Sequence, residues 1–404
     1  MTSIIDVEVP TVMRVGLDYE LDLLARLVGV NTDATVKTGY LDCARIIVNE
    51  AKRLGLEVEV YDSKDLAGDG KPRPNVIAEL NVGAKSSVAL VTHYDVVPPG
   101  EGWMTNPFKL EVIGDKAYGR GACDDKGAIA AALGALRLLK GEASVNVKFV
   151  ASPDEEVGGT FGVGYLLNQG ILKCDEAIIL DASIDFVSIG ASGIVHGGIV
   201  VRGVQGHAAY PHIVVNPING LINLLNRLSR YTSVRAAKTS KLPAPPGSPL
   251  PKVWGRFSIT MLKAGEKENV IPGEAMAKFD LRVLPDEDVE DALTEFKAFF
   301  LAVKQEAGVE AELVDLKLSR GYYVDPEAPL VKRFREAASR AYGADLPVAG
   351  ELGANDGRFF AAKNIPVVCF GCIRKESRPH GVNEYVYLKD LAIVRDSLIN
   401  FLGK

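Results

Sequence analysis

Three apolar runs in this chain stop at residues able to ligate a metal ion or carry a proton. Ser87 to Thr92 ends at His93, Val145 to Ala151 ends at Ser152-Pro153-Asp154-Glu155-Glu156, and Ala177 to Leu180 ends at Asp181. Short runs of this composition read as buried strands, and helical spacing lies between them, as from Lys126 to Lys140. Strands alternating with helices predict an α/β fold with a largely parallel sheet, whose ligands gather outside the strands' carboxyl ends. A site in such a chain is assembled from several strand ends at once.

The flanking elements follow the same pattern. Leu17, Leu21, Leu24 and Leu27 fall at helical spacing, a second helix spans Tyr40 to Leu54, and strand-like runs cover Glu57 to Tyr61 and Asn75 to Leu80. After His93 the chain reads Tyr94-Asp95-Val96-Val97-Pro98-Pro99-Gly100, which leaves a strand without entering a helix. Phe108 to Ile113 and Lys116 to Tyr118 around Gly114-Asp115 predict a hairpin. Gly119-Arg120-Gly121-Ala122-Cys123-Asp124-Asp125 then leads into the Lys126 helix, where capping is the ordinary role of one aspartate. Gly158 and Gly159 are expected to open a short helix. Pro366 to Phe370 reads as a further strand, His380 lies in the loop beyond it, and Leu388 to Leu402 closes the chain as an amphipathic helix.

His93, Asp124, Glu156, Asp181 and His380 make two imidazoles and three carboxylates. With one carboxylate bridging, two metal ions would each receive one histidine and one terminal carboxylate, a donor set suited to zinc, with cobalt or manganese as substitutes. Such a pair polarises a scissile carbonyl and lowers the pKa of a bridging water, which is hydrolase chemistry. Glu155, beside the ligand Glu156, is the candidate general base and then acid. Asp95, two residues after His93, is placed to accept that histidine's free N–H.

From Ile194 to about Ser319 the order becomes strand (Ile194 to Val204), helix (Asn216 to Tyr231), two strands (Gly255 to Leu262, Glu274 to Leu284), helix (Glu287 to Ala307) and strand (Ala311 to Leu318). That order predicts a ferredoxin-like α+β module inserted into the first domain. The expected organisation is residues 1–193 and 320–404 as one discontinuous catalytic domain around an insert of 194–319. The proline-rich stretch from Leu242 to Pro251 reads as a surface loop of the insert. A length of 404 residues suits two cores, and a net charge of −6 without a basic stripe excludes a nucleic-acid partner. Five scattered cysteines argue against a disulfide framework, with Cys369 and Cys372 read as buried residues and not as a redox pair. Asp6 and Glu8 replace the basic start of a signal peptide, and no apolar run reaches the ~18 residues of a membrane span. A cytoplasmic protein is expected.

These motifs, in this order over nearly the whole chain, resemble the acetylornithine deacetylase, succinyl-diaminopimelate desuccinylase and carboxypeptidase G family of co-catalytic zinc hydrolases. The resemblance implies a zinc-peptidase-like mixed sheet flanked by helices, with the insert as a lid and dimerisation domain. It makes His93, Asp124, Glu156 and His380 ligands, with Asp124 bridging and the peptide after it cis, and it agrees with Glu155 as base. Within Gly206-His207-Ala208-Ala209-Tyr210-Pro211-His212 it gives His207 the role of stabilising the tetrahedral oxyanion, usually in the neighbouring subunit's site, which implies a homodimer paired through the lid. His196 and His212 are left structural. Asn269-Val270-Ile271-Pro272 and Asp280-Leu281-Arg282 match lid motifs. Arg282 suits a substrate carboxylate, while Asn269 and Gly353 complete the expected substrate contacts. Two departures bear on substrate: Asp181 stands where the desuccinylases have glutamate, and Gly353-Ala354-Asn355-Asp356-Gly357-Arg358-Phe359 lacks a hydroxyl of their corresponding loop.

The expected activity is removal of an acyl group from an N-acyl amino acid by attack of a metal-bridging water. The alternatives are a metallo-dipeptidase or carboxypeptidase using the same centre, and a catalytically silent binding or assembly protein. The unligated Glu155 argues against the last, because a scaffold has no need of a base.

Overall fold

The computed structural model describes residues 16–139 and 141–404. Asp6, Glu8 and the expected helix end at Lys140 lie outside them. The chain forms two compact units, one of residues up to Ile189 with Val324–Val348 and Asn355–Lys404, the other of Gly190–Tyr323 with Ala349–Ala354. The short segment Ala349–Ala354, assigned from sequence to the catalytic domain, clusters instead with the second unit. Within that unit the Ser192 N–H donates to the Gly353 carbonyl and Arg256 donates to the Leu352 carbonyl, which ties the segment down.

In chain order the first unit contains α1 (Asp18–Val28), α2 (Tyr40–Arg53), β1 (Glu57–Asp62), β2 (Pro74–Leu80), β3 (Ser87–His93), α3 (Lys126–Leu139), β4 (Asn146–Ser152), β5 (Glu176–Ile179) and the greater part of β6 (Val187–Ala191), whose last two residues are counted with the second unit. The second unit follows with β7 (Gly193–Arg202), α4 (Pro217–Leu228), β8 (Arg256–Ala264), β9 (Glu274–Val283), α5 (Val289–Ala307) and β10 (Ala311–Ser319). The chain then returns to the first unit as α6 (Pro329–Tyr342), β11 (Val367–Cys369) and α7 (Leu388–Leu402).

Strands of the first unit run in the order β1-β2-β4-β3-β5-β11-β6. The four inner strands β4, β3, β5 and β11 are parallel, and the strands outside them pair antiparallel. The sheet is therefore mixed. Burial on both faces explains why β3 reads Ser-Val-Ala-Leu-Val-Thr-His with no polar alternation. Register pairs His93 with Ser152 and Val91 with Ile179, so three strands end at one level and deliver their following residues together.

Beside the sheet lies α3, whose small residues permit close packing: a Cβ on Gly134 would sit 2.3 Å from Glu20 Oε1 of α1, and one on Gly127 would sit 2.3 Å from the Ala122 carbonyl. Buried Lys126 donates to the carbonyls of Leu27 (3.0 Å) and Val30 (2.8 Å), placing its charge at the carbonyl end of α1.

Local differences from the sequence reading have local causes. Glu155–Val157 form a single 3₁₀ turn ahead of Gly158, and the α-helix begins only at Val163. The first hairpin strand starts at Glu111 because Asn106 folds Phe108 and Lys109 into a turn. The helix expected to reach Tyr231 breaks after Leu228 and resumes at Arg230. Leu242 is not in a surface loop: it is buried within a strand, Thr239–Pro243, paired with Lys252–Trp254.

The second unit's sheet has the order β8-β9-β7-β10, antiparallel throughout. Along β9, Ala275, Ala277, Phe279, Leu281 and Val283 are buried, while Met276, Lys278, Asp280 and Arg282 occupy the opposite face. The buried face meets α4 and α5 in one core that includes Leu224, Phe257 and Phe296, with the Phe279 and Phe296 rings 4.7 Å apart. Asp288 caps α5 by accepting from the Glu290 N–H at 2.8 Å. Among the described residues, no helix is long and apolar enough to cross a membrane.

Candidate metal centre

Asp124 lies between the two histidines. Its Oδ1 is 3.1 Å from His93 Nε2 and its Oδ2 is 3.1 Å from His380 Nε2. Asp181 Oδ2 lies 3.8 Å from His93 Nε2, and Glu156 Oε2 lies 3.0 Å from His380 Nε2. Two groups capable of holding a cation result, His93-Asp124-Asp181 and Asp124-Glu156-His380, with Asp124 common to both. Each offers one imidazole nitrogen and two carboxylates without sulfur, a set that fits zinc, cobalt or manganese. The His93 side chain is 2% exposed and that of His380 57%, so the centre opens to solvent on the His380 side.

Electrostatics point the same way. Burial pushes the Asp181 carboxyl up to about 8, with the charge of Asp124 adding to it. Burial, followed by Asp124, raises Glu156 as well. Hydrogen bonds to Asp124 and Glu156 raise His380 to about 11, and for His93 the same kind of contact to Asp124 and Asp95 outweighs burial and holds its pKa well above the ordinary value. Burial raises half-buried Glu155 well above the carboxylate range, with Asp181 and Asp356 contributing. Carboxylates this crowded carry excess negative charge that a bound cation relieves.

Neighbouring loops hold these groups in place. His93 Nδ1 is 3.1 Å from the Asp95 carbonyl and 3.4 Å from its Oδ1, while the Asp95 carboxylate also accepts from the backbone N–H of Glu155 (3.2 Å) and Glu156 (3.1 Å). One side chain thus orients both the histidine and the acidic pair, more than the sequence reading assigned to it. Asp125 accepts from the His93 N–H at 3.1 Å, a different service from the capping expected at the mouth of α3. The Asp124–Asp125 peptide is cis. Asp154, in the left-handed region at φ 65°, is gripped by Arg73 and by the Tyr40 hydroxyl.

Two positions had escaped the sequence reading. Glu384 is fully buried and accepts from Arg120 Nη1 (2.6 Å) and from the N–H groups of Gly121 (3.0 Å), Cys123 (3.0 Å) and Asp124 (3.3 Å). Arg120 in turn donates to the carbonyls of His380 (3.3 Å) and Gly381 (2.9 Å). The pair therefore joins the Asp124 loop to the His380 loop. Its only trace in sequence is an acid four residues after His380 beside an otherwise unexplained arginine. Asp356 is buried, its Oδ1 accepts no hydrogen bond and lies 3.8 Å from Arg358 Nη2, and a Cβ at Gly159 would lie 2.2 Å from that oxygen.

The remaining expected site residues lie in the second unit. His207 is exposed on a two-residue strand paired with Val270–Ile271, its Nδ1 accepting from the Ala209 N–H at 3.0 Å. The Asn269 carbonyl accepts from the Ala208 N–H. Arg282 Nε donates to Asp280 Oδ1 at 2.9 Å, and Gly353 is exposed beside Ser192. Cys369 and Cys372 are buried, and Cys174 is half-buried.

The profile of Peptidase family M20/M25/M40 matches residues 89–404. The chain belongs to that family. It is 30% identical to the succinyl-diaminopimelate desuccinylase of Bordetella pertussis (strain Tohama I) over 404 residues, which cover 96% of this chain and 98% of that relative. Its fold matches the M20 family metallo-carboxypeptidase Sso-CP2 from Sulfolobus solfataricus with a TM-score of 0.79 at 21% identity, covering 95% of this chain and 98% of the other. Human carnosine dipeptidase 1 matches at 0.78 and 18% identity, covering 96% and 97%. This M20 chain is accordingly a hydrolase of amide or peptide bonds.

Proposed function

We propose that the protein is a two-metal amidohydrolase that cleaves N-acyl amino acids. The observation that carries the reading is the placement of Asp124, whose two oxygens face one histidine each. His93, Asp124 and Asp181 would hold one ion, and Asp124, Glu156 and His380 the other. When bound, the ion pair supplies Lewis acidity toward the scissile carbonyl and acidifies water. Glu155 takes the proton of the attacking water and returns it to the leaving amine, a role its raised pKa suits. Asp95 holds Glu155 and Glu156 by their backbone and His93 by its Nδ1. His207 stabilises the oxyanion and Arg282 binds the substrate carboxylate, with Asn269 and Gly353 alongside. The working form is a homodimer paired through the second unit.

A metallo-dipeptidase or carboxypeptidase is the second reading, favoured by Asp181 in place of glutamate and by the fold match to a metallo-carboxypeptidase and a carnosine dipeptidase. Amine release across N-acetyl amino acids, N-succinyl amino acids and free dipeptides, using chelated protein before and after zinc or cobalt, separates the two. Metal-dependent release from an acyl series supports the deacylase; cleavage confined to dipeptides replaces it with the peptidase.

A further inference from the structure

Three short strands of the first unit, Glu111–Ile113, Lys116–Tyr118 and Tyr385–Tyr387, form an antiparallel sheet of their own. Register opposes Tyr118 to Tyr385 and Lys116 to Tyr387, so these four side chains share one face, while Ala117 and Val386 are buried on the other. The Lys116 ammonium lies 4.4 Å from the centre of the Tyr385 ring and 5.3 Å from that of Tyr387. The rings attract the cation without neutralising it. A cavity of about 400 Å³ opens on this face, bordered also by Lys375 and Arg378. Among the described residues, none of these three cations forms an ion pair or a side-chain hydrogen bond, and Glu376 is the single carboxylate on the border. Asn383, on the same border, accepts the Met104 N–H with Oδ1 (2.6 Å), and its amide nitrogen has no acceptor among the described residues.

We infer that this cavity binds a small dianion of the phosphate class, free or as a phosphate monoester, and that its occupation steadies the loop bearing His380. Charge sets the class, because three cations against one carboxylate leave two positive charges in excess, the complement of a phosphate dianion. Two ammoniums, a guanidinium and an amide are also enough separate donors for the several oxygens of a tetrahedral anion, where a planar carboxylate offers two. The Tyr118 and Tyr385 rings, 5.2 Å apart, form a wall along which the organic part of an ester can lie. The loop itself has two sides. Lys375, Arg378 and Asn383 border the cavity, whereas His380 between them turns its Nε2 to Asp124 and Glu156. Arg378 and His380 sit in the left-handed region, at φ 57° and 61°, which costs such residues energy unless neighbouring contacts hold them. An anion shared by Lys116, Lys375, Arg378 and Asn383 supplies those contacts from behind the imidazole. Binding there is independent of the amidohydrolase reading.

Phosphate also ligates metal ions, so the test uses the full chain after chelation, at about pH 8, where phosphate is a dianion, and at constant ionic strength. Isothermal titration is expected to give inorganic phosphate a Kd of about 1 mM or tighter, with succinate at least about tenfold weaker because its charges sit at opposite ends. Tighter binding of ribose 5-phosphate identifies a monoester as the preferred form, and equal or weaker binding identifies the free anion. The Lys375 and Arg378 side chains are exposed and without hydrogen-bond partners, so Lys375→Met and Arg378→Met are expected to fold as the parent does. Each should weaken phosphate about fivefold or more, as should Lys116→Met. Lys389→Met, which removes a cation over Tyr387 but outside the cavity, should have no effect. Lys375→Met keeps the parent's zinc content, which separates loss of this site from damage to the metal centre. Hydrogen exchange read by mass spectrometry is expected to slow across residues 375–383 when phosphate is bound. The proposal is overturned by absent phosphate binding, by succinate binding as tightly, by undiminished binding in the double variant Lys375→Met with Arg378→Met, or by unchanged exchange across 375–383 in phosphate-bound protein.

Discussion

At the scale of single residues, the centre depends on groups whose neighbours leave them few alternatives. Asp124 faces His93 with one oxygen and His380 with the other, so Asp124→Asn keeps the shape, removes the negative charge and replaces one acceptor oxygen by an NH2 group. Metal content per chain, measured by plasma emission after dialysis, is expected to fall by about half or more, since an amide bridges two cations poorly. Glu155 touches neither histidine among the contacts of the centre and is free to move a proton. Glu155→Gln is expected to lower kcat by about 10² to 10⁴ while metal content stays at the parent level. A variant with parental kcat, or one that loses its metal, contradicts the assignment of Glu155 as base.

Elements act by holding those residues at one level. Parallel register brings His93, the Asp154–Glu156 turn and Asp181 to the same end of the sheet, and the Asp124 and His380 loops close over that end. The two loops share the Arg120–Glu384 pair, with each side chain about 1% exposed. Removing one member of a buried pair leaves the other charge uncompensated, so Glu384→Ala is expected to cost about 3–5 kcal/mol of stability, read from urea unfolding of metal-free protein. Metal affinity should fall as well, because both loops carry ligands. A loss below about 1 kcal/mol would place Glu384 among exposed pairs of little consequence.

For the whole molecule, the two units predict an unequal response to metal. All five expected ligands belong to the first unit, and α4, α5 and the second unit's sheet enclose a separate core. Metal at about 1,000 times its Kd should stabilise the ligand-bearing unit by about 4 kcal/mol. Calorimetry of the full chain with and without zinc should therefore show a shift largely in one of two transitions; an equal shift of both would mean that the units unfold together. If His207 serves the neighbouring subunit's site, as the family resemblance implies, dilution should lower specific activity as sedimentation shows monomer accumulating.

Much of the first unit was legible because its information is local: an apolar run and the polar residue that ends it identify both strand and candidate ligand, as at Val91-Thr92-His93 and Ile179-Leu180-Asp181. The closing helix, Leu388–Leu402, was readable to the residue from its periodicity. What lay beyond the sequence were pairings between distant segments that leave no periodic trace. Glu384 serves the Asp124 loop across more than 250 positions, Leu242 is buried by a strand pairing that its proline-rich surroundings conceal, and Arg256 meets Arg282 only through sheet register. Sequence thus determined the donor types and the strand ends that carry them, since both follow from short-range composition. Tertiary structure decided which carboxylate both histidines face and which charges remain unpaired, because those depend on distances that only the packed chain sets.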